Sequence, residues 1–131
     1  GAKITGIDGS RAMLDAGWEE NEAPDLRGRM EFLCGLLPGA KLPRAAYDTL
    51  ISNSLLHHLE DPLVMWRSIR DYAEPGALVF AMDLSRPETR EQAQALVETH
   101  SGAEPEVLKR DFFHSLLAAY RPEEAKHLSE I

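Results

Sequence analysis

The stretch Ile4-Thr5-Gly6-Ile7-Asp8-Gly9-Ser10 decides how this chain is read. An apolar run closes on an acid, a serine follows, and Met13-Leu14 come one helical turn later. That order predicts a strand over residues 3–8, then a short helix with Ser10 as its N-cap, weakened at Gly17. A carboxylate at the carboxyl end of a buried parallel strand suits a ribose. Its oxygens accept hydrogen bonds from two neighbouring hydroxyls, and such strand ends open into the ligand crevice of the sheet. The same residues also suit a plainer role, an acid that only caps the helix behind it. A Gly-rich turn usually precedes a ribose acid by about 20 residues, whereas seven residues precede Asp8. The chain is therefore expected either to begin inside a binding fold or to adopt a different fold.

Further along, Asn21 to Gly28 reads as a polar loop, and Met30 to Cys34 as a second short strand stopped by Gly35. Pro38, Gly39 and Pro43 punctuate the passage to a third strand, Asp48 to Ser52. Asp61 as N-cap and Pro62 at the first position open a helix with the stripe Leu63, Trp66, Ile69 and Ala73. Glu74-Pro75-Gly76 ends it, and Ala77 to Met82, the most apolar run, reads as a strand closed by Asp83. Beyond Ser85 the period becomes helical. Ser85 and Glu88 have capping-box spacing, Ser101-Gly102 ends that helix, and Glu106 to Tyr120 carries the packing stripe Leu108, Phe112, Leu116 and Tyr120. Pro122 opens the last helix, Glu123 to Leu128. Strands separated by helices predict an α/β fold with a parallel, Rossmann-like sheet covered by helices on both faces.

The 131 residues suit one domain, with 1–84 as sheet and crossover helices and 85–131 as a helical tail. A net charge of −8, from 14 basic and 22 acidic residues, offers nucleic-acid phosphates no footprint. Arg67 and Arg70 read as a solvated helix face. Cys34 is the single cysteine, so an internal disulfide is excluded and a Cys-based zinc site disfavoured. Within its apolar run it reads as a small buried hydrophobe. No apolar stretch approaches the roughly 18 residues of a membrane span. These features lead to the expectation of a cytoplasmic chain without a membrane or nucleic-acid partner.

In a parallel sheet the carboxyl ends of the strands form one rim: Asp8-Gly9-Ser10, Cys34-Gly35-Leu36, Asn53-Ser54 and Asp83-Leu84. Leu55-Leu56-His57-His58-Leu59 places two imidazoles beside it. The plainer reading of these histidines is a polar loop ahead of a capped helix. Trp18 reads as core packing or as the cover of an apolar pocket.

These residues carry a family resemblance. Ile4 to Ser10 with Met13-Leu14 resembles the second motif of class I S-adenosylmethionine-dependent methyltransferases. Leu42-Pro43, Tyr47-Asp48 and Asn53 to Pro62 resemble the motif around their fourth strand, with its Leu-His-His-Leu ahead of Asp-Pro. Glu74-Pro75-Gly76 resembles the turn into their fifth strand, and Arg86-Pro87 and Tyr120 to Glu124 their closing helices. The resemblance implies S-adenosylmethionine as cofactor and a small-molecule acceptor. Asp8 would take the ribose hydroxyls, Gly9, Ser10 and Met13 would border the adenine, and Gly35-Leu36 would line its edge. Asn53 and Ser54 would sit near the methionine part, and His57 or His58 near the acceptor as candidate base.

Three departures from the family pattern shape the expectation. The Gly-rich first motif and its strand are missing from these residues, Leu36 stands where an adenine-binding acid is often found, and Ile131 precedes the last two strands. The expected fold is thus incomplete, with sheet edges left to pair with each other, with a second copy, or with water. The competing reading is a non-catalytic remnant that binds a partner or self-associates. A dinucleotide enzyme would lack its own glycine loop equally and leave the Leu-His-His-Leu segment unexplained.

Overall fold

The computed structural model describes every residue except 21, 22, 130 and 131. The chain divides into two compact units, Gly1–Pro43 and Arg44–Ile131.

In the first unit β1 (Ile4–Asp8) pairs in parallel with β2 (Met30–Cys34), in register from Ile4 opposite Met30 to Asp8 opposite Cys34. The connection carries α1 (Arg11–Glu20) and a one-turn α2 (Pro24–Arg27). Ser10 caps α1 as expected, its Oγ accepting from the Met13 amide at 3.3 Å. The helix continues through Gly17 because tertiary packing outweighs the glycine's weak propensity: Leu14 is buried and the Trp18 ring lies 4.8 Å from that of Phe32. Phe32 in turn lies across β1. A Cβ on Gly6 would stand 2.8 Å from its Cδ1, so only glycine admits the ring there. Part of the expected 21–28 loop is α2, opened by Pro24 and Asp25, a start signal the polar composition masks. Asn21 and Glu22 lie outside the described residues.

In the second unit β3 (Tyr47–Asn53) pairs in parallel with β4 (Ala73–Met82) across a 3₁₀ turn (Leu56–His58) and α3 (Leu63–Tyr72). Tyr47 sits opposite Ala73 but Thr49 opposite Leu78, so Glu74-Pro75-Gly76 is a break inside the strand rather than a turn before it. Gly76 there has φ +89°. The buried face of α3 is Met65 and Ser68 instead of the expected stripe, whose Leu63, Trp66 and Ile69 are half-buried. Ser68 is small enough to let the helix approach, and the Ser52 hydroxyl reaches Met65 Sδ at 3.4 Å. On the other face of the ladder Ile51, Leu78, Phe80 and Met82 are 53–74% exposed.

Three helices follow: α4 (Arg90–Ser101), α5 (Glu106–Ala118) and α6 (Pro122–Ser129). The first two pack together around Ala93, Val97 and Leu116, with Phe112, Phe113, Leu117 and Leu84 at the margin, whereas Leu108 is exposed. The cap of α4 is Thr89, which accepts from the Gln92 amide, and not Ser85. Pro87 restricts Arg86 to extended backbone, and Ser85 forms a parallel bridge with Tyr120 instead. Arg86 reaches Glu124 at 2.5 Å, and the other Glu124 oxygen accepts from the Arg121 amide at 2.8 Å. These bonds hold the Glu124 carboxyl below its ordinary pKa, the Arg121 amide contributing most. The order of elements follows the sequence reading, but each sheet among the described residues has two strands.

Candidate functional site

The rim of the first unit is built by the turn from β1 into α1 and by the end of β2. Asp8 Oδ1 accepts from the Ser10 amide at 2.7 Å, and the Asp8 carbonyl accepts from the Gly35 amide at 3.0 Å. The carboxylate is thereby aimed and the two strand ends are tied. Ser10 caps the helix and Asp8 only braces the turn ahead of it, so Oδ2 has no partner among the described residues and the side chain is exposed. A Cβ on Gly9 would meet Leu36 Cδ2 at 2.6 Å, so glycine is what lets Leu36 lie over the turn. Leu36 is 73% and Met13 64% exposed. The unit offers an open carboxylate oxygen and two exposed apolar side chains. Asp8, Gly9, Ser10, Met13, Gly35 and Leu36 thus come together in one unit. Cys34 joins them at the same rim. It is exposed rather than buried, with Sγ 3.7 Å from the Gly9 carbonyl, because the last residue of β2 lies beyond the cover of α1.

The rim of the second unit lies beyond β3 and β4. Ser54 has φ +53°, a left-handed backbone that L residues adopt at a cost, and its amide donates to the Met82 carbonyl at 2.9 Å. Its hydroxyl stands 3.4 Å from Asn53 Oδ1. Asn53 and Ser54 are exposed. Past them, Asp83 Oδ2 accepts from the Leu56 amide at 2.7 Å, while Oδ1 lies 2.5 Å from His57 Nδ1 and accepts from the Leu84 amide at 2.8 Å. The His57 side chain is 4% exposed. The exposed His58 ring leans against it, with centroids 4.0 Å apart and planes inclined by 40°. Sequence reasoning placed Asp83 on the rim but missed its hold on His57, a contact 26 residues apart in the chain.

This unit also contains a cavity of about 250 Å³ lined by Met65, Trp66, Met82, Asp83, Tyr120 and Lys126 among others. The indole Nε1 of Trp66 is buried without a partner among the described residues. Those residues hold no group of three or more His, Cys, Asp or Glu side chains fit for a metal ion, and no helix long and apolar enough to cross a membrane.

Residues 1–81 match the family model described as a methyltransferase domain. The mitochondrial ubiquinone biosynthesis O-methyltransferase of Schizosaccharomyces pombe is 26% identical over 87 residues, 66% of this chain and 31% of that protein. Among solved structures, the plantazolicin methyltransferase BpumL with a pentazolic desmethylPZN analog and SAH superposes with a TM-score of 0.74 at 16% identity. The match covers 97% of this chain and 44% of that one. The same enzyme with a triazolic analog and SAH gives 0.69. At this identity the structures speak to the fold, and it is Rossmann-like. The chain spans about a third of the curated relative and under half of the solved ones.

Proposed function

The chain belongs to the methyltransferase domain family of the class I S-adenosylmethionine-dependent type, and from that premise we propose that it is part of an enzyme methylating a small molecule. The observation that carries the reading is the open Asp8 oxygen at the end of β1, with exposed Met13 and Leu36 in the same unit and inside the matched residues. In this reading Asp8 binds the ribose hydroxyls, Gly9, Ser10, Met13, Gly35 and Leu36 receive the adenine, and Asn53 and Ser54 hold the amino-acid end. The residues present fit the nucleoside half of the cofactor.

The cofactor supplies an electrophilic methyl group on a sulfonium. The protein's own contribution is positioning, which is worth the most in an in-line displacement, and a base where the acceptor must lose a proton. His57 and His58 are the imidazoles for that role. The reading includes a cytoplasmic setting, in keeping with a single free thiol. It also includes self-association through sheet edges, because every strand of the described sheets has one ladder neighbour.

A second reading, a non-catalytic binding or self-associating module, is favoured by Asp8 Oδ1 being spent on the Ser10 amide. Calorimetric titration with S-adenosylhomocysteine separates the two. Methyl transfer predicts micromolar binding that is lost in Asp8→Ala and weakened at least tenfold in Asp8→Asn, which keeps an oxygen for the Ser10 amide but loses the charge. No binding by the folded chain would leave the module reading.

A further inference from the structure

Asp83 joins three donors from two stretches of chain: its own neighbour Leu84, the Leu56 amide, and His57 Nδ1. A loop staple needs only the two amides. The third bond fixes one ring atom of a side chain that is 4% exposed, and the exposed His58 imidazole leans against that ring at 40°. From the sequence, His57 and His58 were interchangeable candidates. The structure separates them, since one ring is anchored and covered and the other is supported and accessible.

We propose a division of labour resting on the methyl-transfer reading above: Asp83 and His57 are positioning residues, and His58 is the base that meets the acceptor, a hydroxyl compound. A carboxylate bonded to Nδ1 fixes the tautomer of His57 and restrains its ring, and the tilted contact, with centroids 4.0 Å apart and planes at 40°, gives His58 a fixed neighbour to rest against. In the step itself a ring nitrogen of neutral His58 takes the hydroxyl proton while the acceptor oxygen bonds to the methyl carbon. The carbon–sulfur bond breaks with its electron pair left on sulfur. The reaction needs no other reactant. An acceptor already ionised, or an amine attacking through its lone pair, would not need this arrangement.

Long-range ¹H–¹⁵N correlation spectra of the imidazoles in the 131-residue chain test the proposal. His100 and His127 are exposed references on helices. The expected result is a single Nδ1–H tautomer for His57 and, for His58, ring shifts displaced from both references by the neighbouring ring. In Asp83→Asn, whose one oxygen can keep the Leu56 bond or the bonds to Leu84 and His57 but not both sets, the His58 shifts should move to the reference values while amide signals of β3, β4 and α3 outside the immediate turn stay in place. An Nε2–H tautomer for His57, or His58 shifts equal to the references in the unsubstituted chain, overturns the proposal without any variant. So does an Asp83→Asn spectrum in which His57 moves and His58 does not, which leaves Asp83 as a staple only. Failure of S-adenosylhomocysteine binding, by contrast, would remove the methyl-transfer reading while leaving these spectra unchanged.

Discussion

At the scale of single residues, two glycines set the first unit by absence of a side chain. Gly9 lets Leu36 close over the rim, and Gly6 lets Phe32 cross β1. Trp18 stands on Phe32 and limits how far the ring can retreat. Gly6→Ala should therefore cost about 1–3 kcal/mol, the usual penalty of overpacking, read as a lower urea midpoint with unchanged slope. The local chemistry of this unit was legible: an acid after an apolar run, a serine N-cap, and a helix follow from neighbouring residue types. Exposure was not. Cys34 sits in an apolar sequence and still ends in the open, because burial depends on what lies across the strand end. Asp83 shows the same limit. Its position on the rim was readable, but its partner His57 is brought to it by the path of α3 between them.

Among the elements, α4 shows how two cap signals four residues apart compete. Ser85 with Glu88 has the spacing of a capping box, and so has Thr89 with Gln92. Pro87 decides between them by keeping the chain extended ahead of it. Thr89→Ala should cost about 0.5–2 kcal/mol, and Ser85→Ala should shift thermal unfolding far less, its bridge to Tyr120 being made by backbone. At α6 the bonds from Arg121 and Arg86 lower the pKa of Glu124 from its ordinary 4.5. A carboxyl whose folded pKa is depressed contributes stability that is complete above the unfolded value and is lost as pH falls through the folded one. Protection factors across α6, which correct hydrogen exchange for its intrinsic rate at each pH, should thus hold down to about pH 4.5 and fall below it. Glu124→Gln should flatten that dependence while leaving α4 and α5 as they are.

For the whole molecule, the order of strands and helices was legible because hydrophobic periodicity and Pro/Gly punctuation are local signals. Which face of a sheet stays open was not, since it depends on neighbours distant in sequence. Ile51, Leu78, Phe80 and Met82 project from one face of the β3–β4 ladder at 53–74% exposure. Four large apolar side chains exposed together on one sheet face mark a surface that binds or aggregates. Light scattering should show species above the monomer mass, and the pair Ile51→Thr with Phe80→Thr should reduce them without lowering the thermal midpoint. A monodisperse monomer in the unsubstituted chain would count against self-association. The molecule also carries its own reporter. Its single thiol, Cys34, is exposed at the strand end beside Gly9, so a maleimide dye attaches at one place only, and shielding of that thiol by an added nucleoside reads occupancy of the rim even where no product is formed.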